Sequence, residues 1–146
     1  MNNITENFRL PRYKEIPDIG LYLEQTVSYI NNMLSIIDIS ITSSMLSNYV
    51  KKGYVTHPVR KKYYPEQISY IIFIVIVKQV LSMENISALF SLQKSTYPLP
   101  VAYDFFCSKL EKTLSEIYEG NSDFATSPVQ FPFEKKINYS PDYLSE

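Results

Sequence analysis

The chain has 146 residues, of which 45% are hydrophobic and 20% charged, and its formal net charge is -1. This length and hydrophobic content predict one domain with a single buried core, and the balanced charge excludes a whole-chain attraction to nucleic acid or to an acidic membrane. One cysteine, one histidine and three glycines exclude an intramolecular disulfide, a cluster of cysteine or histidine metal ligands and a glycine-rich phosphate loop.

Residues 1–17 are predicted to form an N-terminal arm of mixed charge that contains Pro11 and Pro17. Glu6 and Arg9 fall within the first ten residues, which therefore lack the apolar stretch of a signal peptide. We accordingly expect a cytoplasmic protein.

Two helices are predicted next, over residues 19–36 and 42–52. In the first helix, apolar residues recur at intervals of three and four, the spacing of a buried helix face: Ile19, Tyr22, Leu23, Val27, Ile30, Leu34 and Ile37. Thr42 is a typical N-cap residue for the second helix, and Gly53 lies where a left-handed C-terminal cap favours glycine.

Residues 54–64 are basic and rich in β-formers, which predicts a short extended loop or a hairpin. Pro65 is a favourable first helical residue and begins a third predicted helix that ends near Leu81. The apolar run 68–77 within it is shorter than the ~20 residues that cross a membrane, so we expect a central buried helix and no membrane partner. Its β-branched residues leave a buried strand open as the alternative.

Ser82 is predicted to cap a short fourth helix, whose inward residues are Met83, Ile86, Leu89 and Phe90. A last amphipathic helix is predicted over residues 100–119, with an inner face of Val101, Tyr103, Phe106, Leu110, Leu114 and Ile117. Residues 120–146 are predicted to form a C-terminal tail that packs in part through Phe131, Phe133 and Tyr143.

The basic charge in the middle of the chain is concentrated in one window, because no acidic residue lies between Ile39 and Pro65. Small polar residues on the outer face of helix 42–52 suit a DNA major groove about 12 Å wide, where asparagine pairs with an adenine edge. The cations would contact phosphates, with a hydroxyl from Tyr63 or Tyr64. The candidate DNA-binding residues are therefore Ser43, Ser44, Ser47, Asn48, Lys51, Lys52, Arg60, Lys61, Lys62 and Tyr63.

Two other interpretations of this window stay open. Its cations could form a solvated surface or pair with acids elsewhere in the fold, or they could dock an acidic protein partner. The tyrosines around the window also fit a hydrophobic junction between helix and loop: Tyr49, Tyr54, Tyr63 and Tyr64.

No group of residues predicts an enzyme, a cofactor site or a metal site. Cys107 is best explained as a small buried side chain, since His57, the one histidine that could activate it, lies on a different element. Lys112 and Glu116 have the spacing of a solvated helical ion pair, which gives no support to catalysis by paired carboxylates.

Part of the chain resembles the winged helix-turn-helix of MerR-type regulators. The matching positions lie in residues 46–55, 58–63, 68–74 and 82–86. The resemblance places Tyr49 on the recognition helix, Gly53 at its end, and Lys61 and Tyr63 on the wing, and it implies DNA binding. The chain departs from that pattern at Ser47, where the family has arginine, and it lacks the long coiled coil and the sensing cysteines. A homodimer would therefore use helix 100–119 or the tail.

A second resemblance covers most of the chain. Residues 10–19, 47–50, 58–63, 78–80 and 102–107 are similar to the family catalogued as domain of unknown function 1836, found in low-GC Gram-positive bacteria. That family has no established activity, so the resemblance implies a shared fold and no function.

These observations predict a mainly α fold with a winged helix-turn-helix (MerR-like) core, an additional C-terminal helix and an extended tail. The single helical domain spans residues 18–119, with the helix-turn-helix and wing at 42–64. The predicted function is DNA binding and transcription regulation through helix 42–52 and loop 54–64, with double-stranded DNA as the partner. The alternative is a non-catalytic protein-protein interaction module on the same scaffold.

Overall fold

A computed structural model of the chain describes residues 8–118. Over this range the backbone forms five α-helices and no β-structure beyond isolated bridges, which confirms the predicted mainly α fold. The helices are α1 (Leu23–Leu34), α2 (Ser43–Lys51), α3 (Pro65–Val77), α4 (Met83–Thr96) and α5 (Leu99–Tyr118). Among the described residues, no helix is both long enough and apolar enough to cross a bilayer.

Helix α3 is the centre of the hydrophobic core. Most of its apolar residues are buried, and five of them are fully shielded from solvent: Ile68, Ile71, Ile72, Ile74 and Val75. The predicted helix is thus confirmed for this segment, and the alternative of a buried strand is wrong. The helix ends at Val77, a few residues before the predicted end near Leu81.

The predicted caps are confirmed at two helix starts and one helix end. The Thr42 hydroxyl accepts the N–H of Met45 at the start of α2 (3.1 Å), and the Ser82 hydroxyl accepts the N–H of Asn85 at the start of α4 (3.1 Å). Gly53 follows α2 with a φ of +84°, a backbone conformation that glycine adopts without the steric cost other residues meet.

Helix α1 begins four residues later than predicted. Gly20 has a φ of +89°, which a right-handed helix cannot contain, and a Cβ atom at this position would lie 2.8–2.9 Å from side-chain atoms of Tyr64 and Lys62. Leu21 instead pairs antiparallel with Tyr63 through two backbone hydrogen bonds of 2.9 and 2.7 Å. As a consequence Ile19, predicted to face inward, is 76% exposed.

Helices α4 and α5 also differ from the prediction. Helix α4 extends to Thr96, and Tyr97 then adopts an extended backbone, as a residue before proline commonly does. Leu89 and Ile117 were expected on inner faces, yet they are 39% and 54% exposed.

The N-terminal segment from residue 8 onward is part of the core. Phe8, Leu10 and Ile16 are buried, and the Tyr103 hydroxyl of α5 donates to the carbonyl oxygen of Pro11 at 2.8 Å. The arm and α5 are therefore packed together. The predicted tail at 120–146, with its packing through Phe131, Phe133 and Tyr143, lies outside the described residues.

Candidate nucleic-acid interface

Helix α2 presents its small polar residues on one outer face, opposite the buried Leu46, Tyr49 and Val50. This face lines a shallow depression together with Leu23 of α1. The other residues that line it are Ser43, Ser44, Ser47, Asn48 and Lys51. The structure thus brings five of the sequence-predicted site residues together on one surface.

An acidic residue from α1 borders the same depression. The Ser43 hydroxyl donates a hydrogen bond of 2.7 Å to the carboxylate of Glu24. Sequence reasoning missed Glu24 because the residue lies outside the acid-free window and reaches it only through the packing of α1 against α2. A carboxylate at this position repels phosphate, and it is a suitable acceptor for the amino group of cytosine.

The loop after α2 contains a tight two-residue turn. Val59 and Lys62 exchange two backbone hydrogen bonds of 2.9 Å and form an isolated antiparallel bridge, so the predicted loop or hairpin is a loop closed by one tight turn. The two residues between them, Arg60 and Lys61, both have positive φ angles, of 52° and 69°. This is the pattern of a type I′ turn, whose two central residues are usually asparagine and glycine.

The turn therefore holds two exposed cations in a strained backbone conformation. A left-handed conformation costs a non-glycine residue about 1–2 kcal/mol, and such strain is concentrated at functional sites. Arg60 and Lys61 are both exposed, so neither gains core packing in compensation.

Replacing Lys61 with Gly is expected to stabilise the fold. Glycine removes the energetic cost of the positive φ angle. It also raises the entropy of the unfolded chain, which offsets part of that benefit, so the net gain in stability is about 0.5–1 kcal/mol. Urea unfolding measures this change. Lys112→Gly, an exposed position inside α5, is the control and should lose about 1 kcal/mol. A Lys61→Gly loss equal to that of the control would contradict a strained turn.

Two predicted site residues of the loop, Lys62 and Tyr63, are more buried than the other candidates there. Lys62 is half-buried, and its Nζ lies 5.2 Å from the ring centroid of Tyr22, a cation–π contact. Tyr63 is only 4% exposed, and burial raises the pKa of its phenol. Its backbone pairs with Leu21 and its ring lies in the core, so little of this side chain is left to face DNA.

The cations of this surface have no acidic partner among residues 8–118. The ion pairs found there, Arg9–Glu15 and Arg12–Glu111, lie on the N-terminal segment and α5. The interpretation in which acids elsewhere in the fold neutralise the window thus finds no support in this range. We call the exposed cations Lys51, Lys52, Arg60 and Lys61, together with Lys62 and the outer face of α2, the basic surface.

Residues 11–106 match the family described as domain of unknown function 1836. The chain belongs to this family. The match includes α1 to α4, the first turns of α5 and every residue of the basic surface, and it confirms the broader of the two sequence resemblances. Comparisons with curated proteins and with solved structures found no match.

Cys107 lies one residue beyond the matched DUF1836 region and is fully buried, as predicted. Burial raises the pKa of its thiol to about 11, which keeps the group protonated and unreactive at neutral pH. His57 is exposed on the loop after α2, and its carbonyl oxygen accepts a hydrogen bond from the Gln67 side chain. Within residues 8–118, no group of three or more histidine, cysteine, aspartate or glutamate residues is placed to hold a metal ion.

Proposed function

We propose that this protein binds double-stranded DNA through the basic surface and acts as a transcriptional regulator. The observation that carries the proposal is the combination of a small polar face on α2, which includes Lys51 at its edge, with exposed cations in the loop that follows the helix. Several exposed cations without an acidic partner in residues 8–118 are available for phosphate contacts, and a regular polyanion such as DNA is a partner that such cations suit.

The dimensions of α2 support a position in the major groove. A helix with its side chains is about 10–12 Å wide, close to the ~12 Å width of the groove. Serine side chains are short enough for the backbone to approach the base edges. In this arrangement Asn48 pairs with adenine, while Ser44 and Ser47 contact either phosphate or base.

The finer part of the proposal is a winged helix-turn-helix core similar to that of MerR-type regulators. Helices α1 and α2 correspond to the two helices of the motif, and the turn at residues 59–62 corresponds to the tip of the wing. The antiparallel pairing of Leu21 with Tyr63 supports this reading, because it fixes the wing against the start of α1. In that geometry Arg60 and Lys61 contact the backbone beside the groove that holds α2.

The test compares two charge-matched double variants on a random-sequence duplex. Lys51→Ala with Lys61→Ala removes two cations from the basic surface, and Lys14→Ala with Lys112→Ala removes two exposed cations from other parts of the molecule. Each lost phosphate contact lowers the salt slope by about one, so the first variant should lose about two units of slope. The control should keep the wild-type slope.

Fluorescence anisotropy at a series of salt concentrations gives both slopes. Equal affinities for the two variants would contradict the proposal, since the position of the charge would then be irrelevant. A wild-type protein that binds no duplex at low salt would also overturn it and would favour an acidic protein as the partner of this surface.

A further inference from the structure

An apolar cavity of about 440 Å³ lies between α3, α4 and α5, away from the basic surface. Tyr70 and Phe73 of α3, Phe90 of α4, and Ala102 and Phe106 of α5 line it. The four aromatic rings pack on one another, with centroid distances of 4.6 Å for Tyr70–Phe90, 5.6 Å for Phe73–Phe90 and 4.7 Å for Phe73–Phe106. These ring contacts hold the wall in place and make it a preformed apolar surface.

The polar groups of the wall form hydrogen bonds mainly with one another. The Tyr70 hydroxyl donates to the Gln93 side-chain oxygen at 2.7 Å, and the Gln93 amide donates to the carbonyl oxygen of Tyr97 at 2.8 Å. Where a bound molecule touches the wall, it thus meets almost only apolar carbon. The interior selects for an apolar body and offers little to a strongly polar one.

Two lysines carry charge at the edge of this cavity. Lys94 lies with its Nζ 5.6 Å from the ring centroid of Tyr70, and Lys109 lies with its Nζ 5.6 Å from that of Phe105. Both rings belong to the lining. Neither ammonium group forms an ion pair with an acid in residues 8–118, so both are available to an anion.

We infer that this cavity binds a small amphipathic anion, with an aromatic or aliphatic body inside and an acidic group near Lys94 and Lys109. The volume falls within the 300–1,000 Å³ that is usual for pockets that bind small molecules. The charge complementarity favours this occupant over a second copy of the chain, since the exposed rim would otherwise bury two uncompensated ammonium groups. The inference goes beyond the proposed DNA binding, and its test contains no DNA.

The experiment titrates the full chain with two probes of matched shape. One is 1-anilinonaphthalene-8-sulfonate, an aromatic anion, and the other is N-phenyl-1-naphthylamine, which has the same rings without the sulfonate. We expect both probes to bind at one site per chain. Replacing both Lys94 and Lys109 with Ala should weaken the anionic probe about tenfold, a loss typical of a desolvated charge contact, and should leave the neutral probe unchanged.

A pair of matched substitutions locates the site. Ala102→Leu places a larger side chain in the cavity and should weaken both probes at least about tenfold, because it removes volume the probes need. Ala88→Leu makes the same change on an exposed position of α4 outside the lining and should have no effect. Circular dichroism checks that Ala102→Leu folds. If this variant does not fold, the double replacement of Lys94 and Lys109 still tests the inference.

Three results would overturn the inference. Equal binding by Ala102→Leu and Ala88→Leu would place the probes elsewhere. If the anionic probe binds equally well after both lysines are replaced, the lysines do not recognise an acidic group, and the ligand need not be an anion. Failure of the full chain to bind either probe would show that the cavity does not take a molecule of this kind.

Discussion

Replacing Ile72 with Ala is expected to lower the free energy of unfolding by about 2–5 kcal/mol, the usual cost of removing a large buried aliphatic side chain. Ile72 is completely shielded from solvent in α3, which has buried residues on every side and cannot move toward one neighbour without leaving another. The expected loss has two parts: the transfer free energy of the methyl and methylene groups that are removed, and the cost of a cavity that the surrounding residues cannot fill. A domain of ordinary stability, about 5–15 kcal/mol in total, would lose a large share of it.

The matched control is Val80→Ala, at a position that is 82% exposed just after α3. Its effect should stay within about 0.5 kcal/mol. Urea unfolding followed by circular dichroism measures both variants. Similar losses at the two positions would mean that α3 is not the central element of the core.

Replacing Glu111 with Gln is the second change with a large expected effect. The Glu111 carboxylate accepts hydrogen bonds from the backbone N–H of Leu10 (2.7 Å) and from both terminal nitrogens of the Arg12 guanidinium (2.8 and 2.9 Å). Glutamine keeps the shape but loses the charge and one acceptor, so Arg12 stays partly buried without a counterion. We expect a loss of about 2–3 kcal/mol at neutral pH, and Glu116→Gln, which lies in the same helix, should cost much less.

The effect of Glu111→Gln should disappear in acid. Partial burial raises the pKa of Glu111, but the hydrogen bonds from Arg12 and Leu10 outweigh it and hold the pKa below its ordinary value. Because the folded-state pKa is the lower one, the contribution is complete above the unfolded-state pKa and is lost as the pH falls through the folded-state pKa. Unfolding free energies of wild type and variant should converge in that range, and a constant difference down to low pH would contradict the ion pair.

Local sequence signals were sufficient for much of the fold. Thr42, Gly53 and Ser82 act within a single turn, so their types alone predict where α2 and α4 begin and where α2 ends. The start of α1 was different, because Gly20 and Leu21 are determined by contact with Tyr63 and Tyr64, more than forty residues later. The burial of Phe8 and Leu10 depends in the same way on α5 and has no periodic pattern near it.

The candidate site shows the same division. The absence of acids near the basic window is visible in the sequence, and so is the small polar face of α2. The burial of Tyr63 and the position of Glu24 depend on long-range pairing and on helix packing, which no spacing rule contains. The strained turn was also hidden, since Arg60 and Lys61 are residue types that a type I′ turn seldom contains.

The most direct test of the account is the salt dependence of wild-type binding to a random-sequence duplex. Each phosphate contact contributes a slope of about -0.9 to the plot of log affinity against log salt. The four exposed cations of the basic surface therefore predict a slope of about -3.6 for B-form DNA. A slope near that value supports the basic surface as a DNA-binding site, and a slope near zero, or no binding at low salt, would contradict it.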